Sequence, residues 1–261
     1  FLHLWSSDTN ELSFQEAKKF IETISLPEPK PLFEATGMDV KAFFETFKNK
    51  LVKPALILKT SSAVSSYMDR DQILNKIFEI KKTVNSNDLP NIYLLHGDFT
   101  DTEMNELYNH PKVKAMVSLT RGEGFGKPLL EFSLVKKPII ATNWSGHVDF
   151  LHPRNNVLLN GTLTPIHPSV ANQFLLKEAS WFSVNHQEVG EALVDMYKNY
   201  KDYTSGAFKQ GEYNMKHFSY DAMKEIVKQE LDKAPQFAQQ ISLSLPKLNI
   251  NKIQLPSLNK I

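Results

Sequence analysis

The chain has 261 residues, 41% of them hydrophobic, with 30 basic against 29 acidic side chains and a net charge of +1. This length supports a buried core in one large domain or two small ones, and the charge balance argues against a protein that coats nucleic acid or an anionic membrane. Cysteine is absent, which removes disulfides and thiolate chemistry; with no membrane-length apolar run and no signal-peptide pattern, a cytoplasmic location is the expectation.

In chain order, "FLHLW" (1–5) reads as a short buried strand, and residues 13–24 as a helix with Ser13 as its cap. "LPEPKP" (26–31) breaks regular structure. Val40, Phe43, Phe44, Phe47 and Leu51 then recur at helical spacing, which makes the phenylalanines core residues and not a base-stacking platform. "PALILKT" (54–60) is an apolar run of strand length, suited to a sheet covered on both faces. The polar stretch "SSAVSSYMDRD" leads into a helix to about Asn85, and Asp69 and Asp71 within it read as an acidic helix start, not a metal-binding Asp-x-Asp.

"NIYLLHG" (91–97) is a second buried strand. Thr100 and Glu103 form a capping-box pattern before a helix carrying Met104, Leu107 and Tyr108. "VKAMVSL" (113–119) is a strand, a glycine-rich loop follows, a helix begins near Lys127 or Pro128, and "KPIIAT" (137–142) is one more strand. Buried strands alternating with helices predict parallel βαβ units, an α/β fold. Further on, Val189, Ala192, Leu193, Met196, Tyr197 and Tyr200 line one helix face. Ser219 caps another helix, with Ala222, Met223, Ile226, Val227 and Leu231 expected to face in. "ISLSLPKLNINKIQLPSLNKI" (241–261) alternates apolar and polar residues around Pro246 and Pro256. It reads as an extended arm that needs a surface in its own chain or another.

The chemistry concentrates in "RGEGFGKPLLEF" (121–132). Gly122, Gly124 and Gly126 are three of only ten glycines in the chain. In open α/β sheets, ligands bind outside the carboxyl ends of the strands, and this loop joins a strand end to a helix start. Glycines admit a ligand close to the backbone, the helix N-terminus offers free N–H groups and partial positive charge, and Pro128 suits the first turn. A phosphate or diphosphate is the natural guest. Glu131, one turn into the helix, can accept from sugar hydroxyls; Glu123 lies nearer the reacting end. His147, Asp149 and His152 match no common metal-ligand spacing, and packed or hydrogen-bonded roles fit them better.

Glu123 and Glu131, with seven residues between and "GFG" after the first, resemble the glutamate–seven–glutamate signature of the GT-B glycosyltransferases, especially the retaining family-4-type enzymes. "EMNELYNHPKVKAMVSLTRGEGFGKPLLEFSLVKKPIIATNWSGHVDFL" is similar to that family's donor-binding domain over its whole length. The resemblance covers residues 38–232 and is strongest between 91 and 151. It implies a Rossmann-like parallel sheet flanked by helices, with a helical C-terminal part. The implied organisation is a divergent N-terminal segment with the first strand (1–37), a nucleotide-sugar-binding domain (38–232) and the extended arm (233–261).

The resemblance also implies a nucleotide-diphosphate sugar as donor, without a metal. Glu131 would bind the ribose and Glu123 the donor sugar, with the Gly124–Phe125–Gly126 backbone against sugar and diphosphate. Lys59, Arg121 and Lys127 are the candidate cations for the leaving diphosphate, and Ser145 and Gly146 would line the sugar pocket. Family members carry an Arg and a Lys near a glycine after the domain's first strand; "LHLWSSDTNE" (2–11) has neither, and no lysine precedes Lys18. The expected function is sugar transfer, with retention, to an acceptor the sequence does not name. The alternative is a non-catalytic module of the same fold that docks into an assembly, or associates with itself, through residues 241–261.

Overall fold

The computed structural model describes residues 32–36, 40–60, 67–166, 176 and 178–233. The strand expected at 1–5, the helix at 13–24 and the arm at 241–261 lie outside them. Six strands form one parallel sheet: β1 (Leu32–Thr36), β2 (Ala55–Lys59), β3 (Ile92–Leu95), β4 (Val113–Ser118), β5 (Ile139–Thr142) and β6 (Val157–Leu159), in the order β3-β2-β1-β4-β5-β6. Helices α1 (Val40–Phe47), α2 (Tyr67–Thr83), α3 (Asp101–Asn109) and α4 (Lys127–Leu134) provide the crossovers. An antiparallel pair follows, β7 (Gly161–Pro165) and β8 (Ser180–Val184), then α5 (His186–Lys198) and α6 (Tyr200–His217).

β2 alternates as a sheet covered on both faces requires, and β4 does so from Ala115 onward, after an irregularity in its pairing with β1. Leu56, Leu58, Ala115 and Val117 enter one apolar cluster with Phe43, Phe44, Phe47, Leu193 and Met196. Ala55, Ile57, Val113 and Met116 enter the other with Leu107, Leu129, Phe132 and Phe150. Five of the eight residues of α1 are buried, so the phenylalanine spacing did report a core face. The Thr100–Glu103 capping box is present in both directions.

Two expectations change. The centre of the sheet is β1, hydrogen bonded to both β2 and β4; its five residues follow directly on a proline-rich run, and the proline signal masked the strand. The residues that follow the central strand in sequence are Gly37 and, on α1, the exposed Lys41, whereas "LHLWSSDTNE" lies outside the described residues. The second change concerns a separate unit from Ser219 onward, of which Ser219 and α7 (Tyr220–Lys233) are described. Ser219 caps α7 as expected, its Oγ accepting from the Ala222 N–H at 3.2 Å. Met223, Ile226, Val227 and Leu231, however, are 45–64% exposed and do not face in. Periodicity identifies an apolar stripe without saying what covers it.

Asn199 ends α5 one residue before α6, so Tyr200 belongs to the next helix. At this corner the Tyr203 hydroxyl donates to the Asp195 carboxylate. Burial first, and then Asp195, push the Tyr203 phenol from 10.0 up to about 12. A raised folded-state value means that the stability this group adds is complete below pH 10 and is lost as the pH climbs through about 12. Tyr203→Phe should remove a late-titrating phenol from an ultraviolet pH titration and flatten the alkaline loss of stability.

Candidate donor-binding site

The chain runs outward from β1 through β2 to β3 and then crosses back to β4 on the other side of β1, so the sheet's topological switch point lies between β1 and β4. The loop after β4 therefore stands where open α/β sheets bind ligands. That loop is residues 119–126. It ends at Gly126, the N-cap of α4, whose backbone is left-handed (φ 88°, ψ 44°) and which supplies no side-chain cap. A side chain there is disfavoured twice, by the left-handed backbone and because a Cβ would lie a tight 3.0 Å from the His147 Cβ. At Gly122 and Gly124 a Cβ would meet nothing within 4 Å. The loop is thus tight where it enters the helix and open along the two glycines before it.

The turn after β5 clasps this loop. Ser145 takes a left-handed φ of 79°, a conformation that costs about 1–3 kcal/mol in a residue with a Cβ. Three hydrogen bonds hold it: Ser145 Oγ donates to the Glu123 carbonyl (2.5 Å), the Glu123 N–H donates to Ser145 Oγ (3.0 Å), and the Gly146 N–H donates to the same carbonyl (3.0 Å). Gly146 fits because it lacks a side chain: a Cβ would lie 2.2 Å from the Gly124 carbonyl oxygen. The turn leads into a short 3-10 helix, Gly146–Asp149, whose buried His147 contacts the Thr142 carbonyl through Nε2 at 2.5 Å. His152 Nδ1 accepts from the Arg154 N–H at 3.3 Å. His152 thus has a hydrogen-bonded position, while buried His147 is bonded through Nε2 and its Nδ1 has no partner among the described residues. Among the described residues no three His, Asp or Glu side chains are grouped to hold a metal ion.

Behind the site, buried amides lock α6 to α4. Gln210 Nε2 donates to the Phe150 carbonyl (2.5 Å), and Gln210 Oε1 accepts from the His152 N–H (2.9 Å) and from Asn156 Nδ2 (2.7 Å). Asn214 Nδ2 donates to Ser133 Oγ on α4 at 2.7 Å. Sequence reading missed these residues, because an isolated Gln or Asn in a helix carries no signal of its burial.

The structure gathers Arg121, Glu123, Gly124, Phe125, Gly126, Ser145 and Gly146 into this one clasped turn. Arg121 lies with its guanidinium 3.7 Å from the Trp181 ring centroid, and the Phe182 N–H ties β8 to the Arg121 carbonyl at 3.2 Å. Phe125 is 46% exposed, its ring 5.2 Å from that of Phe150. Lys127 is paired with Glu131 (3.2 Å) and Asp101 (3.5 Å), and the Glu131 hydrogen bond, ahead of the charges of both acids, raises its pKa. Its charge is engaged by its own helix and by α3.

Lys59 stands apart. It is level with Thr36 and Ser118 at the carboxyl edge, but on β2, two strands from β4 and so roughly 10 Å away, with its ammonium 5.5 Å from the Phe99 ring centroid. Lys41 lines a groove of about 810 Å³ between α1 and α5. It lies in the first turn of α1, on the connection that leaves β1, the strand beside β4. The groove's carboxylates Glu45, Glu191 and Asp195 are already hydrogen bonded to Lys48, Gln187 and Tyr203.

No protein-family model matches the chain, and no curated protein matches its sequence. Solved structures do match in shape. HepE from Anabaena, solved in complex with UDP-glucose, superposes with a TM-score of 0.57 at 11% identity, covering 86% of this chain and 54% of its own. Sucrose-phosphate synthase from Thermosynechococcus elongatus gives 0.54 at 15%, covering 91% and 56%. A glycosyltransferase from Rickettsia africae gives 0.51 at 15%, covering 88% and 54%. The chain therefore spans about half the length of each. At such identities the likeness is one of fold, and the chain has the Rossmann-like α/β fold of one half of a GT-B glycosyltransferase.

Proposed function

We propose that this chain is the donor-binding half of a glycosyltransferase and holds a nucleotide-diphosphate sugar against the 121–126 turn. The observation that carries the reading is the open backbone at Gly122 and Gly124, set at the switch point of the sheet and running into the uncapped N-terminus of α4. Amides pointing from such a turn favour a diphosphate over any neutral guest. Likeness in fold to a protein solved in complex with UDP-glucose supports the same class of donor.

In this reading Glu131 takes the ribose hydroxyls, exchanging its bond to Lys127 for them, and releases Lys127 toward the diphosphate. Glu123 contacts the donor sugar, with its backbone fixed by Ser145 and Gly146. Arg121 adds positive charge beside the turn. These groups stabilise the charge that grows on the departing diphosphate, and the reading requires no metal. Retention follows if the acceptor attacks from the diphosphate side, where a phosphate oxygen takes its proton. The acceptor-binding half would be supplied by further sequence or by another chain.

Calorimetric titration with uridine, guanosine and adenosine diphosphate sugars tests the proposal. One base should bind, and Glu131→Gln should weaken it about 10- to 100-fold, the worth of a hydrogen bond to a charged group. Glu123→Gln should keep binding and abolish transfer or hydrolysis. A chain inert toward every donor, yet still folded, would instead be the non-catalytic module.

A further inference from the structure

Three charged side chains join the starts of two helices at the carboxyl edge of the sheet. Lys127, the first residue of α4, reaches Glu131 on its own helix at 3.2 Å and Asp101, the first residue of α3, at 3.5 Å. One ammonium therefore stands between two carboxylates, which lie no farther apart than those two contacts end to end. Asp101 is fixed from behind by the capping box of α3. Thr100 Oγ1 accepts from the Glu103 N–H at 3.2 Å, and Glu103 Oε2 accepts from the Thr100 N–H at 2.8 Å. Glu103 is taken up by that box, whereas the Asp101 side chain is 94% exposed. A first-turn aspartate suits the helix dipole without any ligand. What sets Asp101 apart is that it shares its cation with Glu131, the group the ribose would take.

Donor binding would break this network. When Glu131 turns to the ribose and Lys127 to the diphosphate, the Asp101 carboxylate is left without its cation, beside the ribose. The base is attached to that ribose. A carboxylate can only accept, and its two oxygens suit two parallel N–H donors. Guanine presents such a pair, N1–H beside the 2-amino group. Uracil presents one N–H between two carbonyl oxygens, and adenine an amino group beside a bare ring nitrogen, so each would turn a lone pair toward the carboxylate. A site built to bond one pattern of donors rejects analogues that lack it. HepE shares the fold at 11% identity, and a likeness of fold does not carry the base of its ligand over to this chain.

We propose that Asp101 selects the base and that the donor is a guanosine-diphosphate sugar. This rests on the donor-site reading above, and the experiment separates the two. Calorimetry on the full chain compares GDP with UDP and ADP, with inosine diphosphate, which lacks the 2-amino group, and with xanthosine diphosphate, which has an oxygen in its place. GDP should bind at least about tenfold tighter than UDP or ADP, and several-fold tighter than inosine diphosphate. Asp101→Asn, whose amide donates as well as accepts, should weaken GDP at least about tenfold and bind xanthosine diphosphate more tightly than the parent chain does. A gain of that kind cannot come from misfolding.

The proposal is overturned if the parent chain prefers UDP or ADP, if inosine diphosphate binds as tightly as GDP, or if Asp101→Asn gains nothing toward xanthosine diphosphate. In each of these cases a nucleotide still binds and the donor reading stands. If no nucleotide binds at all, the donor reading falls and this proposal with it.

Discussion

Gly146→Val is expected to abolish donor binding. Its Cβ would lie 2.2 Å from the Gly124 carbonyl oxygen, 2.7 Å from the Gly124 carbonyl carbon and 2.9 Å from the Phe125 Cα. All three are backbone atoms, so no side chain can swing aside. The turn must move by about an ångström, and overpacking of this kind costs about 1–3 kcal/mol of stability. A displacement of that size at a positioning element typically reduces function by about 100-fold.

Gly124→Ala is the informative partner. Its methyl group meets nothing within 4 Å, so melting temperature should hold while donor affinity falls, because the methyl occupies the surface on which the diphosphate would lie. Melting curves and calorimetry on the two variants give the comparison. Undiminished affinity in Gly124→Ala would mean that the open side of the turn is not where the ligand rests.

Gln210→Leu should be strongly destabilising although it lies away from the turn. The side chain is 1% exposed and bonds to Phe150, His152, Asn156 and Asn214. Leucine fills a similar volume but leaves those buried polar groups without it. Each orphaned group costs about 1–3 kcal/mol, and partial relaxation limits the total to about 3–4 kcal/mol. At roughly 2–4 °C per kcal/mol for a chain of this size, the melting point should drop by about 6–16 °C. The effect should reach donor binding too, because Asn214 passes the restraint to Ser133 on α4. Urea titration gives the stability change directly, and a loss below about 1 kcal/mol would mean that water takes over Gln210's partners and that α6 does not brace the site.

Much of this architecture was legible in the chain. β2, β4 and β5 are apolar runs of strand length, and the Thr100–Glu103 box marks a helix start chemically, so these elements were read within a residue or two. β1 was not, because five residues after a proline cluster carry too little pattern, and what makes them a strand is two neighbours supplied by distant sequence. The α7 stripe shows the opposite failure, a correct helix assigned a burial it does not have. At the site, the glycines and both glutamates announced themselves by spacing. The clasp did not: the left-handed turn of Ser145, the clearance at Gly146 and the tie from Phe182 to Arg121 all arise from contacts between residues that are far apart in sequence. Lys59 was favoured for its place at a strand end, and the strand order then set it two positions from the turn.

The central claim, that the amides of the 121–126 turn receive a diphosphate, is tested most directly by NMR of the chain labelled with 15N only at its ten glycines. On titration with UDP, GDP and ADP, one nucleotide should shift the Gly122, Gly124 and Gly126 amides, with Gly146 following through its bond to Glu123. Gly190, Gly206 and Gly211, packed against Thr46, Asn155 and Ser133, should stay in place. Saturation by a nucleotide with the three loop glycines unmoved would contradict the account.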